Sequence, residues 1–291
     1  MAARPEAVVI CAGFAHGLAV VCRALRLVGA STLAIEAYGP QAHRDVAEHQ
    51  GLRLRPLAVD RQGAVIGDIG GSDAALLTPA HQFPLGLTLH PQRRRQIAAW
   101  GGLVIEDDYD GEFRYDRQPV GALQALAPDR VVYAGMASKS LAPGLRIGWL
   151  VVPPRLVDAV IAELAGGPSV LYKLTLADFI TSGGYDRQVR RARLAYRRRR
   201  DRLASALRRQ GRYVTGIASG LHAVLELSST EAERQAVARA AEHGLAIDGL
   251  ERYRAPAASD DRARRQRPSD RSCPRAGPPA LVAAIWSSTK P

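Results

Sequence analysis

The sequence predicts an α/β domain built on a largely parallel sheet, followed by a smaller α+β unit. Three observations carry this. Up to Pro153-Pro154, short apolar runs alternate with helical patterns, the order that builds a sheet covered by helices. Beyond that pair, helical periodicity dominates to about Gln210, and two strand-like runs and a helix follow. With 291 residues, 47% of them hydrophobic, the chain can bury a core in one large domain or two modest ones.

The elements follow in order. Residues 7–11 (AVVIC) read as a buried strand, Ala12-Gly13-Phe14 as a turn, and the run to about Leu27 as a helix. TLAIE (32–36) is a second strand. Tyr38-Gly39-Pro40 breaks the chain before a helix to about Gln50, and residues 53–59 make the next strand. AALLT (74–78) ends at Thr78-Pro79, and a helix follows Pro91, where the fixed φ of proline suits a first turn. LVIEDD, VVYAGM and IGWLVV complete the strands of the first unit. In the helical stretch, Ala192, Tyr196, Leu203 and Leu207 share one side, with arginine on the others. YVTGIA and LHAVLELS then read as strands joined at Ser219-Gly220, and Glu231–His243 as a helix. The expected division is 1–155 as the large domain, 156–210 as connecting helices, 211–254 as a partial small domain and 255–291 as an irregular, disordered tail.

Charge and cysteine content narrow the function classes. Forty basic residues against 28 acidic ones give a net charge of +12, yet only Lys139, Lys173 and Lys290 are lysines. An arginine bias of that kind, beside plentiful Ala, Gly and Pro, reflects composition more than nucleic-acid recognition. The excess is concentrated in Asp186–Arg212, with 12 Arg against two Asp, where a solvated helix face is the simpler reading. Chemistry that needs a primary amine has three candidates, because a guanidinium stays protonated. Cys11, Cys22 and Cys273 show neither metal spacing nor an even-numbered framework, which suits a reduced, cytoplasmic setting. No apolar run is long enough for a membrane span, and the N-terminus lacks the pattern of a secretory signal.

The strongest chemical signal is AGMASKSLAPGLRIGWLVVP (134–153). A strand ends, a small hydroxyl-bearing loop presents Ser138 and Lys139, and Arg146 follows just before the next strand. Upstream, IEDDYDGEF places Asp107 and Tyr109 at the carboxyl end of another strand, where ligands sit in open α/β sheets. A lone loop lysine or an acidic run would ordinarily be solvated surface; here both meet at strand ends.

Together with TPAHQFPLG (78–86), IEDDYDGEFRYDRQPVGALQ (105–124) and ASGLHAVLEL (218–227), these phrases resemble the aminotransferase-like domain of MocR-type regulators of the GntR family. The resemblance runs from about Pro5 to about Tyr253. It implies a fold-type I pyridoxal-phosphate transferase: a three-layer αβα large domain with a mostly parallel sheet, plus a smaller, here incomplete, α+β C-terminal domain. It implies pyridoxal 5'-phosphate as cofactor, with Lys139 as the catalytic amine that condenses with its aldehyde. Asp107 would pair with the pyridine nitrogen, Tyr109 would bond the ring phenolate oxygen, and Ser138 and Arg146 would hold the phosphate. Gly13 and Phe14, opening the first helix, would offer backbone N–H groups to the same phosphate. Tyr38 is a candidate for stacking on the ring, and His81 and Gln82 lie where relatives contact it. No metal is implied.

The resemblance also sets expectations about what departs from it. Family members begin with a winged helix-turn-helix domain, whereas this sequence starts at the first strand, so DNA binding is not expected from this chain alone. The closing strand of the small domain, with the carboxylate-binding arginine of related aminotransferases, is expected to be missing. The implied partners are a small amine or amino-acid ligand and a second copy in a homodimer, with no membrane. Three functions stay open: a cofactor-binding regulatory domain, a class I/II aminotransferase moving an amino group to a 2-oxo acid, and a non-functional gene remnant.

Overall fold

The structure, a computed structural model, describes residues 3–115 and 120–256, and the backbone of 280–284. Its largest element is a seven-stranded sheet of order β1-β9-β8-β7-β6-β2-β3, formed by β1 (Val8–Cys11), β2 (Thr32–Glu36), β3 (Arg53–Leu57), β6 (Ala74–Leu77), β7 (Leu103–Asp107), β8 (Val131–Met136) and β9 (Gly148–Val151). The pairings β8–β7–β6–β2–β3 are parallel. Only β9 runs against the rest, flanked on both sides by antiparallel partners. Between β3 and β6 lies the short hairpin β4 (Val59–Asp60) and β5 (Gly63–Ala64).

Alternation along the strands explains the layers. Leu33 and Ile35 of β2, Leu76 of β6 and Ile105 of β7 join one core with α1 (Phe14–Leu27) and α4 (Val157–Ala162). Their neighbours Ala34, Leu77 and Val104 face the opposite way, into a second core with Leu89, Leu123 and Ile97 of α3 (Pro91–Ala99). A strand buried on both faces needs apolar residues at both parities, which is why these read as continuous runs. α1 turns its Phe14, Leu18, Val21 and Leu25 inward at helical spacing. The helix α2 (Gln41–His49) carries the chain from β2 to its parallel neighbour β3. The result is the αβα sandwich that the resemblance implies.

After α4, two helices behave differently. α5 (Val170–Thr181) has no buried residue, and Val170, Leu171, Leu174 and Ile180 are each more than half exposed. α6 (Gly184–Arg209) buries Val189, Ala192 and Tyr196, the last two against Phe113, Tyr115 and Leu221. A second, wholly antiparallel sheet follows, of order β10-β11-β13-β12, from β10 (Val214–Thr215), β11 (His222–Glu226), β12 (Asp248–Gly249) and β13 (Ala280–Ala284), with α7 (Thr230–Glu242) against it. Ser229 caps α7 by accepting from the Ala232 N–H at 3.1 Å.

β13 departs from the expectation that 255–291 is irregular throughout. Residues 280–284 pair with β11 from His222↔Ala284 to Glu226↔Ala280, and with β12 through Val282 and Leu281. Five apolar residues have no period of their own; the two open edges on either side make them a strand. The rest of that tail, with Cys273 and Lys290, lies outside the described residues.

The two sheets are fastened together by backbone. Ile217 N–H donates to Gly86 O at 2.8 Å, Gly220 N–H to Phe113 O at 2.9 Å, and Ala255 N–H to Ala37 O at 2.7 Å. Gly220 (φ 74°) is a position only glycine fills: a Cβ there would collide with Asp110 Oδ2 and His81 Cε1. Among the described residues no helix is long and apolar enough to cross a membrane.

Candidate functional site

Five strand ends converge on one side of the large sheet, at their carboxyl ends. β1 leads to Gly13, β2 ends on Glu36, β6 is followed by Thr78, β7 ends on Asp107, and β8 leads to Ser138 and Lys139. They border a cavity of about 370 Å³ lined by Phe14, His43, Asp107, Tyr109, Lys139 and His222, among others. Sequence reasoning therefore named four of its walls, Phe14, Asp107, Tyr109 and Lys139.

Asp107 is the most confined charge in it. The side chain is 3% exposed; Oδ2 lies 4.0 Å from His43 Nδ1, and Oδ1 is buried with no hydrogen-bond partner. Burial, then the carboxylates of Asp108, Asp110 and Glu36, push its pKa well up, while Lys139 pulls it back. His43 is pushed down to about 4 by burial and by the neighbouring Arg44, so its imidazole is neutral at physiological pH. Its ring leans on Phe14 with centroids 4.6 Å apart. Burial lowers the pKa of Lys139, against the pull of Asp110 and Asp107. Desolvation of an ammonium favours the free amine, the form a nucleophile requires.

A second group holds Tyr109. Its hydroxyl meets His81 Nδ1 at 3.1 Å, and the same nitrogen meets Asp110 Oδ2 at 2.7 Å. His81 and Asp110 are 3% and 1% exposed, so this is a buried pair. His222, from β11 of the small sheet, stacks on His81 at 4.8 Å and is kept neutral by burial and by His81. Phe83 sets its edge against both Tyr109 and His222. Burial and the nearby Asp110 and Asp107 move the Tyr109 phenol well above its ordinary range. Glu36, fully buried, accepts from Thr78 Oγ1 at 2.5 Å and from Gln82 Nε2 at 3.3 Å, and burial raises it to about 7.

The other predicted residues stand nearby. Gly13 takes φ 82° immediately before α1, which leaves the first N–H groups of that helix at the strand ends. Gly148 packs on the same turn, its Cβ direction 3.3 Å from Gly13 Cα, so the β9 entrance borders the α1 terminus. Arg146, two residues earlier, is exposed and, among the described residues, is the non-glycine one with positive φ, at 48°. That left-handed backbone costs about 1 kcal/mol for an L-residue, and such strain concentrates at functional positions. Its charge reaches α1, where it helps to hold His16 towards the neutral form. Ser138 is half-buried beside Lys139 and, like Arg146, stands outside the cavity lining. Tyr38 is not in this cavity: it packs with Val224 and Leu250 where the two sheets meet, so the ring-stacking expectation for it does not fit. Phe14, Phe83 and the imidazole of His43 are the rings that line the cavity.

Sequence reading missed His43, Asp110, Glu36 and His222. His222 stood in a quoted phrase, but nothing local told that its ring would meet His81 from another sheet. Cys11 and Cys22 are buried free thiols, with burial pushing Cys22 up to about 12, so neither is a ready nucleophile. Among the described residues, no three His, Cys, Asp or Glu side chains are grouped to hold a metal ion.

Comparison with known proteins agrees with this geometry. Residues 1–258 match the family aminotransferase class I and II. The HTH-type pyridoxine biosynthesis transcriptional regulator PdxR of Corynebacterium glutamicum is 32% identical over 261 residues, covering 86% of this chain and 56% of PdxR. The HTH-type transcriptional regulator YhdI of Bacillus subtilis is 34% identical over 256 residues, 84% of this chain and 54% of YhdI. The chain thus spans about half the length of these curated relatives. Among solved structures, LysN, the alpha-aminoadipate aminotransferase of Thermus thermophilus, superposes with a TM-score of 0.79 at 21% identity, covering 97% of this chain and 72% of LysN. Kynurenine aminotransferase of Pyrococcus horikoshii gives 0.77 at 22% identity, over 96% and 70%. At that identity the likeness is one of fold, and it is the aminotransferase fold. By sequence over residues 1–258 and by the architecture of its sheets, the chain belongs to the aminotransferase class I and II family.

Proposed function

We propose that this chain is a pyridoxal-phosphate-binding, aminotransferase-like regulatory domain that senses a small amine or amino acid. The observation that carries the reading is Asp107, a buried carboxyl with an unpartnered Oδ1 in the cavity that also holds Lys139. A protonated pyridine nitrogen is the kind of donor that such an oxygen accepts, and the cavity is large enough for a ring. When bound, pyridoxal phosphate supplies an electron sink for bonds at an amino-bearing carbon.

The protein residues divide the remaining work. Asp107 would hold the pyridine nitrogen in its protonated form by accepting that N–H on its unpartnered Oδ1. His43, neutral and 4.0 Å from Asp107, fixes the carboxylate without competing for charge. Tyr109, steadied by the His81–Asp110 pair, presents its hydroxyl to the ring oxygen. Lys139, desolvated in the wall, is the amine for covalent attachment. The phosphate falls to Ser138, Arg146 and the N–H groups after Gly13, because the guanidinium fork and a helix terminus both suit a dianion. Phe83, Leu221 and His222 line the same cavity and would bound the space left for the ligand. The exposed apolar residues all around α5 support a homodimer, and the buried free cysteines suit the cytoplasm.

The test is spectroscopic. Purified protein mixed with pyridoxal phosphate should gain a visible band that borohydride fixes covalently at Lys139, read by peptide mass. Lys139→Ala should lack it. Soluble, folded protein with no such band would overturn the proposal. Release of a 2-oxo acid on adding amino acids would move the reading to an active aminotransferase.

A further inference from the structure

A second concavity lies away from the cofactor cavity, against α6. It encloses about 520 Å³ and is lined by Arg114, Arg190, Arg193 and Arg197, with Glu112 and Tyr115. Positions 190, 193 and 197 follow the i, i+3, i+7 spacing of one helix face, so the cleft gathers three of the helix's arginines into one stripe. Arg114, on the loop after β7, adds a guanidinium to the lining. The acid of the lining does little to offset this charge. Glu112 accepts from Tyr185 Oη at 2.9 Å, and burial raises its pKa towards the neutral form. Arg193 is fixed as well, its Nε donating to Glu112 O at 2.6 Å. Arg197 meets Asp201 only at 3.8 Å, with both side chains more than half exposed, a pair that water screens.

Several guanidiniums around one concave volume focus positive potential, and their planar forks match tetrahedral oxyanions. We propose that this cleft is a binding site for a small, multiply charged phosphate anion of the polyphosphate class, separate from the cofactor cavity. The three guanidiniums on one helix face, Arg190, Arg193 and Arg197, call for a ligand with several negative charges, which a chain of two or three phosphates carries. The site does not depend on Lys139 or on cofactor binding.

Calorimetric titration of the full chain with inorganic tripolyphosphate tests it. Saturable one-to-one binding is expected, weakening as salt is raised. The double variant Arg190→Glu, Arg197→Glu changes two exposed side chains and should lose about tenfold or more in affinity. Arg208→Glu, Arg209→Glu makes the same charge change on exposed positions of α6 outside the cleft and should keep the affinity. Circular dichroism confirms that both variants fold. Absence of saturable binding overturns the proposal, and so does equal loss in both variants, the signature of diffuse charge. Binding of duplex DNA with none of tripolyphosphate would also overturn it, since the phosphates read would then be those of a nucleic-acid backbone.

Discussion

Glu36 offers a sharp test of the electrostatics at the strand ends. Its carboxyl closes β2, is fully buried, and moves from an ordinary 4.5 to about 7 because burial outweighs the hydrogen bonds from Thr78 and Gln82. The folded state therefore holds this proton at pH values where the unfolded chain has released it. Its contribution to stability is complete below about 4.5 and falls as pH rises to about 7, where the folded carboxyl also ionises. The full penalty above that range is about 3 kcal/mol. Glu36→Gln removes the titration while keeping the shape and an acceptor oxygen for Thr78. Any cost of its new amide N–H₂ is the same at every pH. Urea unfolding of both proteins across about pH 5 to 8 should show the variant gaining roughly 2 kcal/mol on the parent as pH rises. Groups that Glu36 does not shift, such as His43, titrate in both proteins and cancel in the difference, while Asp107, which the Glu36 carboxylate raises, is relieved in the variant and moves the difference the same way. Parallel stability curves for parent and variant would refute the burial argument, and a falling difference would reverse its sign.

Three further outcomes are expected. Gly220→Ala should destabilise the fold by about 2–5 kcal/mol, combining the left-handed backbone with overpacking against the His81–Asp110 pair, as urea midpoints will read. Asp107→Asn should weaken pyridoxal-phosphate binding by about tenfold or more, yet leave the cofactor-free protein equally or more stable at pH 8, because the cost of burying a carboxyl that the unfolded chain would ionise is removed. Leu171→Asp with Leu174→Asp should convert a sedimenting dimer to monomer without a loss of helicity; a monomeric parent protein would dismiss the α5 interface.

Much of the large sheet was legible because its strands are short, apolar on both faces and separated by helical runs. Lys139, Asp107 and Tyr109 were legible because each follows or ends a strand, and strand carboxyl ends share one rim; Phe14 came only from the family resemblance. The supporting shell was not legible. His43 reaches Asp107 from α2, His81 meets Asp110 from another loop, and His222 arrives from a different sheet. No local period encodes such meetings, because they depend on how separate elements pack. Tyr38 shows the converse: a turn aromatic that looked available for a ring is spent on the junction between the sheets. Residues 280–284 failed for a third reason, since a strand that short is defined by the edges that receive it.

That receiving geometry governs the order of events during folding. β13 enters between β11 and β12, so the small sheet has no continuous ladder until residues 280–284 arrive from far along the chain. β10 and β11 can pair early as a local hairpin, but β11 then keeps one edge unsatisfied while β12 has no strand partner in the sheet. Loop closure over such separations is slow compared with hairpin formation. The waiting edge is a template for whichever strand reaches it first, including the equivalent five residues of another molecule. Exchange of β13 between copies is therefore the misassembly that this topology predicts, and size-exclusion chromatography after refolding should show its share falling as the protein is diluted.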